Sequence, residues 1–135
     1  MSVESALPPE FWQGIDLFNQ GDYYPCHDIL EALWMEAGNP DKTFYQGILQ
    51  IAVALYHLGN GNQRGAMILL GEGINRLKRY QPTYGGIDVA QLVMDAGEIL
   101  GQLQQAKALI CDFERPFIRQ ILAGPETSCA DRPSS

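Results

Sequence analysis

The runs CHDILEALWMEAGNP (26–40) and DKTFYQGILQIAVALYH (41–57) decide the fold of this chain. In the first run, apolar residues recur three or four positions apart, which is the pattern of one face of an α-helix. These residues are Ile29, Leu30, Leu33 and Trp34. The second run is apolar on almost every side, which is typical of a helix in the middle of a bundle. Gly and Pro at 38–40 end the first helix. The sequence therefore predicts a hairpin of helices over about 24–37 and 43–58.

Further helical patterns flank this hairpin on both sides. One helix begins after Pro8 and ends at Gly21, and others are predicted over about 63–80 and from 88 to about 111 or 113. A last short helical turn is predicted at 117–122. The loops are short, which makes neighbouring helices antiparallel, and no stretch alternates apolar and polar residues convincingly as a strand does. We therefore predict an all-α, antiparallel bundle of four to five helices around a central apolar helix.

Local signals refine the helix ends and contacts. Residues of types that cap helices precede three of the helical runs; they are Asp22, Asp41 and Asn62. Three glycines fall within the fourth helix, and each lowers helix propensity by about 1 kcal/mol relative to Ala; they are Gly65, Gly71 and Gly73. Such glycines are easiest to explain if a neighbouring helix approaches closely there.

The length of 135 residues fits one domain. We predict a single helical domain over 1–122 and a disordered tail over 123–135, because the tail is small, polar and Pro-containing. No apolar run approaches the ~20 residues of a membrane span. The start of the sequence lacks a basic segment followed by an apolar one, so a cytoplasmic location is expected. The three cysteines have no Cys-x-x-Cys spacing, and we interpret Cys26 and Cys111 as buried free thiols.

The net charge of −7 is concentrated in the first third of the chain. Residues 1–41 hold eight acidic residues and no Lys or Arg, whereas the remainder holds eight acids and nine bases. An acidic surface repels phosphate backbones and anionic lipids. We therefore expect neither nucleic acid nor a membrane as a partner, and consider a small molecule or a protein instead. Self-association is conceivable through an apolar face of the first or fifth helix.

Polar side chains lie on the facing sides of the predicted hairpin. His27 and Glu31 are four positions apart and share a helix face, and Gln46, Gln50 and His57 form a second stripe. If the turn centres near residues 40–41, facing residues have numbers that sum to about 81. The expected pairs are Trp34 with Gln46, Glu31 with Gln50, and His27 with residues 53–57.

One interpretation of these side chains is purely structural. Buried polar groups destabilise a fold by several kcal/mol unless they are hydrogen-bonded. A closed network would remove this penalty, with Glu31 accepting hydrogen bonds from Gln50 and a histidine, and the Trp34 indole donating to Gln46.

The same atoms support functional interpretations. The five residues His27, Glu31, Trp34, Gln46 and Gln50 could line a ligand pocket. Two imidazoles and a carboxylate, from His27, Glu31 and His57, could hold a divalent transition metal. A buried Glu31 beside His27 is also a candidate general base, so both are candidate catalytic residues.

Two motifs carry a resemblance to a known family. The runs FNQGDYYPCHDILEALW (18–34) and FYQGILQIA (44–52) resemble the signature of the domain-of-unknown-function 309 family, over roughly residues 11–80. The resemblance implies a helical fold and points to five positions as signature residues, namely His27, Glu31, Trp34, Gln46 and Gln50. It implies no activity. We predict a binding or interaction module, and the alternative is a hydrolase-like or metal-dependent enzyme that uses His27, Glu31 and His57.

Overall fold

Helices make up most of the computed structural model, which describes residues 7–105 and 115–121. The five α-helices are α1 (Pro9–Gln20), α2 (Tyr23–Glu36), α3 (Asp41–Gly59), α4 (Gln63–Leu77) and α5 (Val89–Gln105). A turn of 3-10 helix (Lys78–Tyr80) and the strands β1 (Thr83–Tyr84) and β2 (Ile87–Asp88) lie between α4 and α5. The predicted all-α bundle is confirmed. The predicted end of the fifth helix, Cys111, Cys129 and the predicted tail fall outside the described residues.

The α3 helix lies in the middle of the bundle, between α2 and α4. Its buried apolar side chains lie on several sides of the helix, as the sequence pattern predicted; they include Phe44, Tyr45, Ile48, Ile51, Ala52, Leu55 and Leu58. Tyr56 departs from that pattern, because 40% of its surface is exposed. Apart from this position, the prediction of a central apolar helix is confirmed.

The α3 and α4 helices approach each other closely at two glycines. A Cβ atom at Gly73 would lie 2.9 Å from the carbonyl oxygen of Gly47, and a Cβ atom at Gly47 would lie 2.7 Å from Leu77 Cγ. A side chain at either position would therefore push the helices apart. The close approach predicted for the α4 glycines is confirmed at Gly73 and is wrong at Gly71, where a Cβ atom would meet nothing within 4 Å.

The helix ends follow the sequence signals with two exceptions, Asp22 and Asp41. Asp22 lies at the N-cap position of α2, but its side chain makes no capping hydrogen bond. Gly21 ends α1 with a φ of +84°, a left-handed conformation that favours glycine. The side chain of Asn62 caps α4 by accepting a hydrogen bond from the Gly65 N–H at 2.9 Å. The prediction that Asp41 caps α3 is wrong, because Asn39 Oδ1 accepts the hydrogen bond from the Thr43 N–H. Asp41 instead accepts a hydrogen bond from the Tyr84 hydroxyl.

A small β structure follows α4, where the sequence predicted a loop. β1 and β2 pair antiparallel. The predicted helical turn at 117–122 is also wrong, because residues 117–121 are not helical and residues 119–121 pair with residues 86–88. The Asp88 N–H donates to the Arg119 carbonyl at 2.9 Å, and the Ile121 N–H donates to the Gly86 carbonyl at 2.6 Å. The hairpin thus uses backbone groups that a helix would need for itself.

The segment 115–121 is also fixed to α1. The Asn19 side chain accepts a hydrogen bond from the Ile118 N–H at 2.7 Å and donates to the Ile118 carbonyl at 3.0 Å. The Ile118 side chain is buried in the core. These contacts connect α1 to a segment that lies about a hundred positions further along the chain.

None of the described helices is long and apolar enough to cross a membrane.

Candidate functional site

A groove of about 290 Å³ lies on the seam between α2 and α3. It contains four of the five predicted ligand-binding residues, Glu31 and Trp34 from α2 and Gln46 and Gln50 from α3; its other lining residues are Leu49, Val53 and Leu69. Leu49 and Val53 come from α3, and Leu69 comes from α4. The groove is thus a partly apolar recess with a carboxylate and two amides at its surface. Its size is near the lower end of the range for small-ligand pockets.

Lys42 holds Trp34 in the groove wall. The Lys42 ammonium lies 4.4 Å from the centroid of the indole ring and donates a hydrogen bond to the Trp34 carbonyl at 2.6 Å. This contact is a cation–π interaction. The predicted hydrogen bond from Trp34 to Gln46 is not formed.

Gln50 connects the groove to α4. It is 8% exposed and is the one buried polar residue in the described part of the chain. Its amide donates to Glu72 Oε1 at 2.9 Å and accepts from Arg76 Nη1 at 3.1 Å. The predicted hydrogen bond from Gln50 to Glu31 is therefore wrong. The physical reason is the close approach of α4 at Gly73, which brings Glu72 and Arg76 against Gln50.

Glu72 and Arg76 were missed as partners of Gln50 in the sequence analysis. They are four positions apart in α4 and lie on either side of Gly73. A glycine that allows close helix packing, flanked by an acid and a base on one helix face, was the available signal.

His27 lies one turn along α2 from Glu31, outside the groove lining. Its Nε2 is 3.8 Å from Glu31 Oε1, and its Nδ1 is 3.3 Å from Asp28 Oδ1. The imidazole therefore stands between two carboxylates. The Glu31 side chain is 49% exposed, whereas the general-base interpretation assumed that it was buried.

Three potential metal ligands come together at this point. Atoms of His27, Asp28 and Glu31 lie within 4.8 Å of one another. The sequence predicted His57 as the third metal ligand, but His57 is not in this group. The third potential ligand is Asp28. The reason lies in α3: Tyr56 packs against Tyr24 across the seam, and adjacent residues on a helix point in different directions.

The other end of the seam carries an exposed aromatic patch, formed by Tyr24, His27 and Tyr56. The ring centroids of Tyr24 and Tyr56 are 5.3 Å apart, and the His27 ring stacks on Tyr24 at 5.5 Å. Tyr24 is 54% exposed. The seam thus continues past the groove as an aromatic surface.

Cys26, which precedes His27 in α2, is a buried and unreactive thiol. Burial raises the pKa of its thiol to about 12. The thiolate is the nucleophilic form of cysteine, so the protonated thiol is inert at neutral pH. The interpretation of Cys26 as a buried free thiol is confirmed.

Comparisons with known proteins agree with the resemblance seen in the sequence. The family model described as "Domain of unknown function (DUF309)" matches residues 11–69. The uncharacterised protein YpuF of Bacillus subtilis is 36% identical over 84 residues, which are 62% of this chain and 45% of that protein. An uncharacterised protein of Aquifex aeolicus is 27% identical over 85 residues, 62% of this chain and 26% of that protein.

The chain thus spans less than half of the length of these curated relatives. The family match includes α2 and α3 completely, with every groove residue. Residues 11–69 of this chain are therefore similar to the DUF309 family, over the part of the chain that forms the groove.

Proposed function

We propose that the protein is a binding module whose α2–α3 groove holds a cationic group with an apolar part. The observation that carries this proposal is the position of Glu31. Its carboxylate lines the groove, and no Lys or Arg of the described residues forms an ion pair with it. His27 lies 3.8 Å from this carboxylate, and a ligand cation would add a permanent opposite charge.

The walls of the groove support the apolar part of the ligand. Leu49, Val53 and Leu69 offer aliphatic contacts, and Gln46 offers an amide that can accept or donate a hydrogen bond. Trp34, whose ring already holds the Lys42 ammonium, adds an aromatic wall to the groove.

The proposal is tested with benzylammonium as the probe and benzoate as the control of opposite charge. We expect benzylammonium to shift the NMR signals of the Trp34 indole N–H and the Gln46 side-chain amide, with benzoate inactive. Glu31→Gln should weaken binding about fivefold, because an exposed ion pair is worth up to about 1 kcal/mol. Glu36→Gln removes an exposed acid of the same helix outside the groove, and should leave binding unchanged. Equal binding by the wild type and Glu31→Gln would overturn the proposal.

Metal binding is a second candidate function, favoured by the proximity of His27, Asp28 and Glu31. An imidazole and two carboxylates suit a divalent transition metal such as Zn²⁺. A ligand that binds the folded state raises the melting temperature. We therefore expect Zn²⁺ to raise the melting temperature of untagged protein.

Two variants separate the structural ligand group from the one predicted from the sequence. Asp28→Asn should weaken the effect of Zn²⁺ on the melting temperature, whereas His57→Gln should retain it. If His57→Gln removes the effect and Asp28→Asn does not, the sequence-based set is correct. No effect of Zn²⁺ on the wild type would rule out both sets.

A further inference from the structure

We infer that the whole α2–α3 seam is the docking site of a basic, amphipathic helix from a partner protein. This inference rests on the proposed binding of a cation by Glu31 and names the partner that supplies the cation. Its basis is the continuity of three features along one seam: the groove, the carboxylates of Asp28 and Glu31, and the aromatic patch.

The seam has the length of a short helix. On α2 it runs along one face through Tyr24, His27, Glu31 and Trp34, which are spaced by three or four positions. Ten positions of an α-helix rise about 15 Å. A small organic cation fills the groove alone and leaves the aromatic patch uncovered, whereas a helix of about ten residues covers both.

The seam offers two apolar anchor sites with a carboxylate between them. One anchor site is the groove, with Leu49, Val53 and Leu69, and the other is the pair Tyr24 and Tyr56. Along α2, these sites are separated by about two helical turns. Residues seven positions apart on a partner helix are also two turns apart, and the residue between them on the same face would lie near the carboxylates of Asp28 and Glu31.

The backbone of the seam favours a helix over an extended peptide. Both α2 and α3 satisfy their backbone groups within their own helices, so this surface has no sheet edge that could accept an added strand. A helix also satisfies its own backbone groups. Its side chains alone would carry the contact, as in other helix-in-groove complexes.

Charge complementarity identifies the partner helix as basic. Residues 1–41, which include α1 and α2, carry eight acids and no Lys or Arg. The nearby Lys42 is bound to Trp34, and Arg76 is bound to Gln50. These two bases already have partners, and of the basic side chains in the described residues only His27 lies within 4.0 Å of the carboxylates of Asp28 and Glu31.

The test selects helical peptides of about 16 residues from a displayed library on the full chain. We expect the selected peptides to carry Lys or Arg between two apolar residues about seven positions apart. Tyr24→Ala and Glu31→Gln should each weaken their binding about tenfold, the effect of a central interface contact. Met94→Ala, which truncates an exposed apolar side chain on α5, is the matched control and should bind as the wild type does.

The outcomes separate this inference from the proposed function. Benzylammonium should bind Tyr24→Ala as it binds the wild type, because that probe does not reach the patch. Suppose that Glu31→Gln weakens benzylammonium binding, but the selected peptides bind Tyr24→Ala as tightly as the wild type. The docking inference is then wrong and the proposed function stands. If Glu31→Gln changes neither kind of binding, both fail.

Two further results would also overturn the docking inference. One is a set of selected peptides with the wrong properties. Peptides without Lys or Arg would contradict a basic partner, and peptides that still bind with a proline in the middle would contradict a helical one, since proline breaks a helix. The other is a dimer of the free protein that Tyr24→Ala dissociates in sedimentation experiments, because the seam would then be covered by a second copy.

Discussion

Gln50 shows how a single residue can separate stabilising contacts from binding contacts. Its amide is buried and is satisfied by Glu72 and Arg76 on α4. Because these partners engage Gln50, the carboxylate of Glu31 and the amide of Gln46 are not needed to close a core network. The polar seam therefore has two parts, an inner one that joins α3 to α4 and an outer one that lines the groove.

Tyr84 leads to a prediction about alkaline pH. Burial, followed by the hydrogen bond to Asp41, raises the pKa of Tyr84 above its ordinary value of 10.0. Between the ordinary and the raised pKa, the unfolded chain loses the phenolic proton while the folded chain retains it. The contribution of Tyr84 to stability is therefore complete below about pH 10 and is lost as the pH rises further.

The comparison of wild type with Tyr84→Phe measures this effect. Urea unfolding from pH 8 to pH 11 should give a steeper loss of unfolding free energy above pH 10 in the wild type. At pH 8, the variant should be less stable by about 1 kcal/mol, because the hydrogen bond to Asp41 is gone. Parallel curves for the two proteins would contradict the assignment.

Among the helices, the α3–α4 contact determines the shape of the site. Gly47 and Gly73 let these helices approach until the Gly73 Cα faces the backbone of α3. Leu69 then reaches the groove, and Glu72 and Arg76 reach Gln50. The groove is consequently built by three helices, although its seam belongs to two.

Two alanine substitutions in α4 should have opposite effects on stability. Gly73→Ala should destabilise the protein by about 1–3 kcal/mol, because its Cβ would overlap Ile51 and the Gly47 carbonyl. Gly71→Ala should stabilise it by about 0.5–1 kcal/mol through helix propensity alone, since nothing lies within 4 Å. Thermal unfolding of both variants checks this pair. A stabilising Gly73→Ala would show that the helices can separate without penalty.

For the whole molecule, local patterns explain most of the helical fold. Apolar periodicity of three to four residues predicted α1 to α4 and the start of α5, because each helix buries one face against its neighbours. The strands escaped prediction because each is two residues long, and because β2 also pairs with residues 119–121, more than 30 positions away. Pairing at such a distance leaves no periodic signal in the sequence.

In the candidate site too, contacts within the local hairpin could be predicted from the sequence, and contacts with the more distant α4 could not. The turn near Pro40 fixes the register of the hairpin, so Glu31, Trp34, Gln46 and Gln50 were correctly brought to one seam. The partners of Gln50 depend on how closely α4 approaches α3, a distance that helix spacing does not encode.

The order of helix packing has a consequence for how the chain folds. Each of the five helices packs mainly against the helix before it and the helix after it. Such a topology has a low contact order and requires little loop-closure entropy, which is typical of domains that fold within about a millisecond. The hydrogen bonds between Asn19 and Ile118 are an exception, since they join residues 99 positions apart in the sequence. We therefore expect the contacts between successive helices to form first. The contact between Asn19 and Ile118 should form last.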